Sequence, residues 1–379
     1  MRSAADTHLE WLESLSPWPE EFGLGRMREL LARLGNPQLG LRAIHVVGTN
    51  GKTTTTRMAE ALLSAEGLRV GAYTSPHVVS WAERVRVGSG EADLEVALGR
   101  VRAEAESVGA TQFEALTAAA LAEFAAAEVD VAIVEAGLGG RHDATNVLGA
   151  EVVVLTNVAL EHVEVLGPTR EAIAAEKLAV VSPGTLVVLG EPEWAAAARS
   201  AGASAVTVVS GSSAALAHAA AEEFLGRTVD PAPLEHVHVP GRMEVVREAP
   251  LELWDGAHNL AGIGYLLGRA PRADWVLAVS ILDDKDAAGM LAALSALGRR
   301  LVAAGSSSPR SLPAEELAAL GREFFDEVEV VPEPVSALAR AREIAGAEGA
   351  VLVTGSLYLL MDIASVRPSC LPWQASASG

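Results

Sequence analysis

The stretch His45-Val-Val-Gly48-Thr-Asn50-Gly51-Lys52-Thr53-Thr54 decides the reading of this chain. It follows an apolar, β-branched run and opens a stretch of helix formers. Glycines at a strand-to-helix turn let backbone N–H groups converge on phosphate oxygens. The helix N-terminus adds its dipole, and a lysine reaches the outer phosphates. The usual GxxxxGK[ST] loop would have a glycine at position 46, where this chain has Val46, so the loop is the variant GTNGKT. Thr49, Asn50, Gly51, Lys52 and Thr53 are the predicted nucleotide contacts, with the Thr53 hydroxyl facing Mg²⁺. The bland alternative is a glycine turn capped by threonines; the strand before it and the helix after it argue against that.

Outward from the loop, short apolar runs alternate with Ala/Leu-rich helical stretches. Strands are predicted at 43–47, 69–73, 129–135, 152–156 and 185–189, and helices at 53–66, 93–108, 114–127 and 169–181. Apolar runs without strict alternation are buried on both faces, so the class is α/β with a parallel sheet covered by helices. A second series of strands follows at 251–254, 275–280, 300–304, 328–331 and 350–353. Between the series, Asp-Pro-Ala-Pro-Leu-Glu-His-Val-His-Val-Pro at 230–240 reads as a semi-rigid linker. Two domains are therefore expected, 1–239 and 240–379, the second smaller and Rossmann-like. The tail from Arg367 reads as poorly ordered.

Composition bounds the function. The chain has 379 residues, 50% hydrophobic, with a formal net charge of −20, which argues against nucleic-acid and anionic-membrane partners. A lone cysteine, Cys370, excludes an internal disulfide and any Cys-rich zinc site. No signal pattern or long apolar run is visible, so a soluble, cytoplasmic monomer is expected. Of the 29 basic residues only Lys52, Lys177 and Lys285 are lysine. A chain that uses arginine almost everywhere keeps lysine where a compact amine that can lose its proton is needed. Four of the five asparagines, Asn50, Asn146, Asn157 and Asn259, fall in motif-like segments.

Three further segments lie at predicted strand ends, where open α/β sheets bind ligands. They are Thr74-Ser75-Pro76-His77, Glu135 through Asn146, and Thr156-Asn157 with Glu161-His162. Ser75 and Glu135 offer hard oxygen ligands suited to Mg²⁺. Singly, Glu135 also reads as a helix cap or ion pair, and His162 as a core histidine. Lys285, in Leu-Asp-Asp-Lys-Asp at 282–286, reads equally as a cation for a substrate carboxylate and as a surface ion pair.

With these residues in place the sequence resembles the folylpolyglutamate synthase/dihydrofolate synthase family, within the ATP-dependent ligases that include the muramyl ligases. The resemblance runs through Leu24-Gly-Arg-Met27, Leu34-Gly-Asn-Pro37, the phosphate loop, Thr74–His77 with Glu83-Arg-Val85, and Thr111-Gln112-Phe113-Glu114. It continues through Glu135–Asn146, His162, Leu166-Gly167, Glu176-Lys177, Pro240-Gly-Arg242 and Asp255-Gly-Ala-His258-Asn259. Thr-Ser-Pro-His separates this family from the muramyl ligases.

The resemblance implies ATP-dependent addition of L-glutamate to dihydropteroate or reduced folates through an acyl phosphate. It implies ATP and two Mg²⁺ ions, one on Ser75 and Glu135, one on His162 and a carbamylated Lys177. Lys52, His162 and Lys177 would be catalytic, and Arg242, Asp255 and His258 would contact ATP across a domain cleft. Thr111, Gln112, Phe113, Glu114, His142, Asp143 and Ala144 would line the pterin pocket, with Ser14, Leu15, Ser16 and Pro17 beside it. Phe113 also reads as helix-start core. Four positions depart from the family pattern. Thr53 and Glu161 stand where the family has Gly and Asp, and Leu260 stands where it prefers Pro. The stretch 211–218 carries no Asn. A muramyl-type ligase, supported by Gly-Lys-Thr-Thr-Thr, and a nonenzymatic nucleotide switch are the competing readings.

Overall fold

A computed structural model describes residues 7–19, 21–271 and 274–367. The chain divides into two compact units, Met1–Val237 and His238–Gly379. Among the described residues the first holds eight strands: β1 Ala43–Val47, β2 Val70–Tyr73, β3 Val85–Val87, β4 Gly90–Glu91, β5 Val131–Glu135, β6 Val152–Leu155, β7 Leu186–Leu189 and β8 Ala205–Val208. Their order is β4-β3-β2-β5-β1-β6-β7-β8. All neighbours are parallel except the β2–β3–β4 edge, which is antiparallel.

The strand β1 shows why this sheet forms. All five residues are buried, and successive side chains serve opposite faces. Ile44 and Val46 pack with helices Lys52–Ala65 and Ser213–Leu225. Ala43 and Val47 join the other face, which is covered by helices that include Gln112–Ala126 and Arg170–Lys177. Both faces being covered is what the unalternating apolar runs demand. The chain leaves β1 toward β2 on one side and later reaches β6 on the other. The carboxyl ends of β5, β1 and β6 thus lie side by side at a topological switch, where ligands bind in such sheets.

The second unit holds β9 Glu244–Glu248, β10 Leu251–Trp254, β11 Val276–Val279, β12 Arg300–Ala303, β13 Glu327–Val330 and β14 Ala350–Thr354. The order is β13-β12-β11-β14-β10-β9, with only β9 antiparallel. The structure departs from the sequence reading in several details, among them the strands β3, β4, β8 and β9, which the sequence reading does not mark. The predicted helix 93–108 is two helices, Leu94–Gly99 and Arg102–Val108, and the segment 230–240 contains a 3-10 turn at Ala232–His236. The tail lies outside the described residues beyond Arg367. Among the described residues no helix is long and apolar enough to cross a membrane.

Candidate active site

The phosphate loop is shaped by two glycines. Gly48 has φ +146°, and a Cβ there would lie 1.8 Å from Thr156 Oγ1. Gly51, at φ +83°, is the N-cap of helix Lys52–Ala65, whose start carries no side-chain cap. Asn157, at the end of β6, clamps the loop as a neighbouring strand would. Its Oδ1 accepts from Asn50 N at 3.0 Å, its Nδ2 donates to Asn50 O at 3.1 Å, and its carbonyl accepts from Thr49 N at 3.0 Å. Lys52 Nζ donates to the carbonyls of Gly48 and Thr49, each at 3.1 Å.

Beside the loop, Glu135 ends β5 almost fully buried. Its Oε1 accepts from the Thr53 hydroxyl at 3.0 Å and its Oε2 from Ser75 N at 3.1 Å. Thr53, Ser75 and Glu135 therefore converge as an oxygen-rich donor set, which fits Mg²⁺ chemistry. Among the described residues no group of three or more His, Cys, Asp or Glu could hold a metal ion, so any ion here must draw on hydroxyls and the nucleotide.

Lys177, 1% exposed, closes the loop from the far side. Its Nζ donates to Gly48 O and to Glu161 Oε1, both at 2.9 Å. Burial pushes the Lys177 ammonium down, with Glu161 opposing. Burial would raise Glu161, but the charges of Lys177 and Lys52 outweigh it and hold the carboxyl at about 2. An ammonium has no lone pair, so unmodified Lys177 does not fit as a metal ligand; only a carbamate there would. His162 follows at φ +44°, half-buried, as the N-cap of Val163–Leu166.

The predicted pterin-side residues also gather, but most serve each other. Thr111 and Glu114 form a capping box: Glu114 Oε2 accepts from Thr111 N, Thr111 Oγ1 and Arg26 Nε at 2.7–2.9 Å. Gln112 ties the helix to the N-terminal segment, its N donating to Ser16 O at 2.9 Å and its Nε2 to Leu12 O at 3.1 Å. The Ser14 and Ser16 hydroxyls are turned onto the carbonyls of Trp11 and Trp18. Leu15 packs against the core and Pro17 is exposed. Phe113 lies over Gly137, where a Cβ would come within 2.6 Å of its ring, and 6.1 Å from the Tyr73 ring. Asp143 and Ala144 are buried and His142 is exposed. Arg141 Nε donates to Glu176 Oε2 at 3.0 Å, which holds this loop beside Lys177.

In the second unit, Asp255 follows β10 and accepts from Met243 N and Ala257 N, both at 2.9 Å. Burial raises its carboxyl, with Arg242 opposing. Arg242 Nη1 donates to Gly241 O at 3.0 Å, and His258 Nδ1 lies 2.9 Å from Gly256 O. Lys285 Nζ is 2.9 Å from Asp284 Oδ2.

Comparison with known proteins fits this geometry. A model of the Mur ligase middle domain matches residues 46–242, and one of the Mur ligase glutamate ligase domain matches 241–357. The dihydrofolate synthase/folylpolyglutamate synthase of Escherichia coli K12 is 36% identical over 94% of each chain. That of Mycobacterium tuberculosis is 33% identical over 90% of this chain and 89% of its own. Among solved structures, E. coli FolC in complex with DHPP and ADP superposes with TM-score 0.87 at 32% identity, over 97% of this chain and 99% of that one. The Yersinia pestis bifunctional enzyme with AMPPNP and Mn gives 0.86 at 32%, with the same coverage. The chain belongs to the dihydrofolate synthase/folylpolyglutamate synthase family.

Asn157, Glu161 and Glu83 lie in motif segments that the sequence marks, and the structure gives each a partner that the sequence does not. Asn157 was visible as a rare asparagine, but its clamp on Asn50 spans 107 positions. Glu161, which precedes His162 in a strand-end segment and stands where the family has Asp, is the partner of Lys177. Glu83 collects the backbone N–H groups of Val78, Val79 and Ser80 and so shapes the segment after Ser75-Pro76. A capping pattern, Ser80 followed by Glu83, was its legible signal.

Proposed function

We propose that this chain is an ATP-dependent ligase that joins L-glutamate to dihydropteroate, to reduced folates, or to both. Family membership over nearly the whole chain, together with the convergence of Lys52, Thr53, Ser75 and Glu135 at the switch point, carries the reading. A carboxylate resists attack by an amine, so ATP first converts it to an acyl phosphate, which the glutamate amine then opens with release of phosphate. Phosphoryl transfer is chiefly positioning and charge neutralisation. Lys52 supplies a fixed cation for the outer phosphates. Thr53, Ser75 and Glu135 would hold Mg²⁺, which when bound adds charge neutralisation there. Thr49, Asn50 and Gly51 present the loop backbone to the nucleotide, and Arg242, Asp255 and His258 are further nucleotide contacts on the family motif. A second metal at His162 requires Lys177 to be carbamylated; its depressed ammonium supports the free amine that this step needs.

The acceptor meets the surface built by Thr111–Glu114 and His142–Ala144, with 14–17 beside it. Measurement of ADP release with glutamate, comparing dihydropteroate with tetrahydrofolate, tests the reading. Glutamate-dependent release with either acceptor is expected. Turnover of UDP-linked muramyl substrates with neither folate active would overturn it, and ATP binding with no glutamate-dependent release would point to a switch.

A further inference from the structure

The strand β1 leads into the phosphate loop, and it also carries a buried polar side chain that the reaction does not use. His45 is 1% exposed and lies on the face of Ala43 and Val47, opposite Ile44 and Val46. Its Nε2 is 2.8 Å from Thr145 Oγ1. The Thr145 hydroxyl in turn donates to Asp143 Oδ1, which also accepts from Thr145 N at 3.0 Å. A hydroxyl has one proton, and an ionised carboxylate can only accept; burial raises the Asp143 carboxyl, and the bonds it accepts from Thr145, Leu138 and Gly137 oppose that rise. With its proton committed to Asp143, Thr145 must accept from His45, so His45 carries its proton on Nε2. Burial pushes the imidazole down to about 4, so near pH 7 that single N–H is the only donor in the chain's first link. At the other end, Asp143 Oδ2 accepts from Leu138 N at 2.7 Å. Leu138 follows Gly137, the residue on which the Phe113 ring rests. A directed line of hydrogen bonds thus runs from the middle of β1 to the loop that faces Phe113.

We propose that His45 is a positioning residue for the acceptor: its Nε2–H, relayed by Thr145, orients the Asp143 carboxylate and sets the loop 137–146 against Phe113, where the pteroyl group binds. The proposal rests on the ligase reading and on the assignment of Asp143 and Phe113 to the acceptor. A purely structural histidine would act differently, because its loss would lower the folded fraction and affect ATP and acceptor alike.

The test uses the full chain and whichever of dihydropteroate and tetrahydrofolate supports wild-type ADP release. KM is measured for that acceptor at saturating ATP, and for ATP at saturating acceptor, in His45→Leu, His45→Gln and Thr145→Val. His45→Leu should raise the acceptor KM at least tenfold and leave the ATP KM within twofold. His45→Gln, which keeps an N–H donor, should return the acceptor KM to within about threefold of wild type. The double variant His45→Leu/Thr145→Val should be no worse than Thr145→Val alone, since both break one line. An unchanged acceptor KM, an equal rise in both KM values, or additive effects would overturn the positioning role. Should His45→Leu fail to fold, Thr145→Val reads the same split. Wild-type protein inactive with both acceptors would sink the ligase reading itself, whereas an active wild type without the split sinks only the proposal.

Discussion

Each unit buries charge, and one site in each does so in an opposite way. In the second, Glu252 of β10 is fully buried and saturated. Arg342 meets it with two parallel bonds at 2.7 and 3.0 Å, and Trp254 Nε1 adds a third at 2.7 Å. In the first unit, the charges at the strand ends are held by weaker matches. Lys52 gives its protons to neutral carbonyls, and Lys177 divides its own between Gly48 O and Glu161. A buried ion pair with every bond made is a structural element, because removing one partner strands the other. A half-buried cation resting on carbonyls, as Lys52 does, retains charge that a phosphate can use. The comparison separates charge that holds the fold from charge kept available for chemistry.

The sharpest way to break this contrast is Lys52→Ala. We expect kcat/KM for ATP to fall by roughly 10³, about 4 kcal/mol, as for loss of a cation that stabilises developing charge. Denaturation should shift by no more than about 0.5 kcal/mol. A folded variant with near-normal turnover would remove the loop from the site. Arg342→Met is the converse. It strands Glu252 and should cost about 3–5 kcal/mol in urea unfolding. The folded fraction should keep wild-type KM values for all three substrates; a change in any KM would erase the distinction.

Lys177 tests which side of the contrast a buried lysine falls on. Arginine keeps the charge but cannot be carbamylated, since its guanidinium stays protonated. Lys177→Arg should therefore be nearly as inactive as Lys177→Ala, each losing on the order of 10² in kcat, the scale of a lost metal-supporting group. A small carboxylic acid should partly restore Lys177→Ala. Full activity in Lys177→Arg would assign the residue to the ion pair with Glu161 alone.

What the sequence made legible follows the same physics. The strands β1, β5 and β6 stand out because burial on both faces leaves uninterrupted apolar runs. The strands β3 and β4 do not, being three and two residues long with Arg86 inside the first. The edge strand β9, Glu-Val-Val-Arg-Glu, is charged at both ends as a solvated edge should be, and so resembles a loop. The helix predicted over 93–108 breaks at Arg100–Val101, just after Gly99, a single glycine inside an otherwise continuous helical pattern. At the site, Lys52, Glu135 and Lys177 were visible as unusual residues in ordered motifs. The long-range pairings that frame them were not, because Asn157 meets Asn50 and His45 meets Thr145 across about a hundred positions, and no local pattern encodes such a pairing.

The smallest predicted effect lies at the opposite end of the first sheet. Arg42 precedes β1 and Glu151 precedes β6, and they pair through two bonds at 2.7 and 2.8 Å. Both side chains are about half exposed, so solvent screens the pair. Arg42→Ala should cost at most about 1 kcal/mol, some of it lost packing of the guanidinium over the Phe224 ring. Arg42 lowers the Glu151 carboxyl below its ordinary 4.5, chiefly through the hydrogen bond, with burial opposing. A carboxylate lowered in the folded state contributes stability above its unfolded value, and that contribution fades as pH falls through the folded one. The wild-type advantage should thus be constant above about pH 4.5 and shrink below it, leaving the packing part. Kinetic constants should be unchanged at every pH, because this end of the sheet carries none of the loops assigned to ligands. A shift in any KM in Arg42→Ala would show that the amino-terminal edge of the strands communicates with the site.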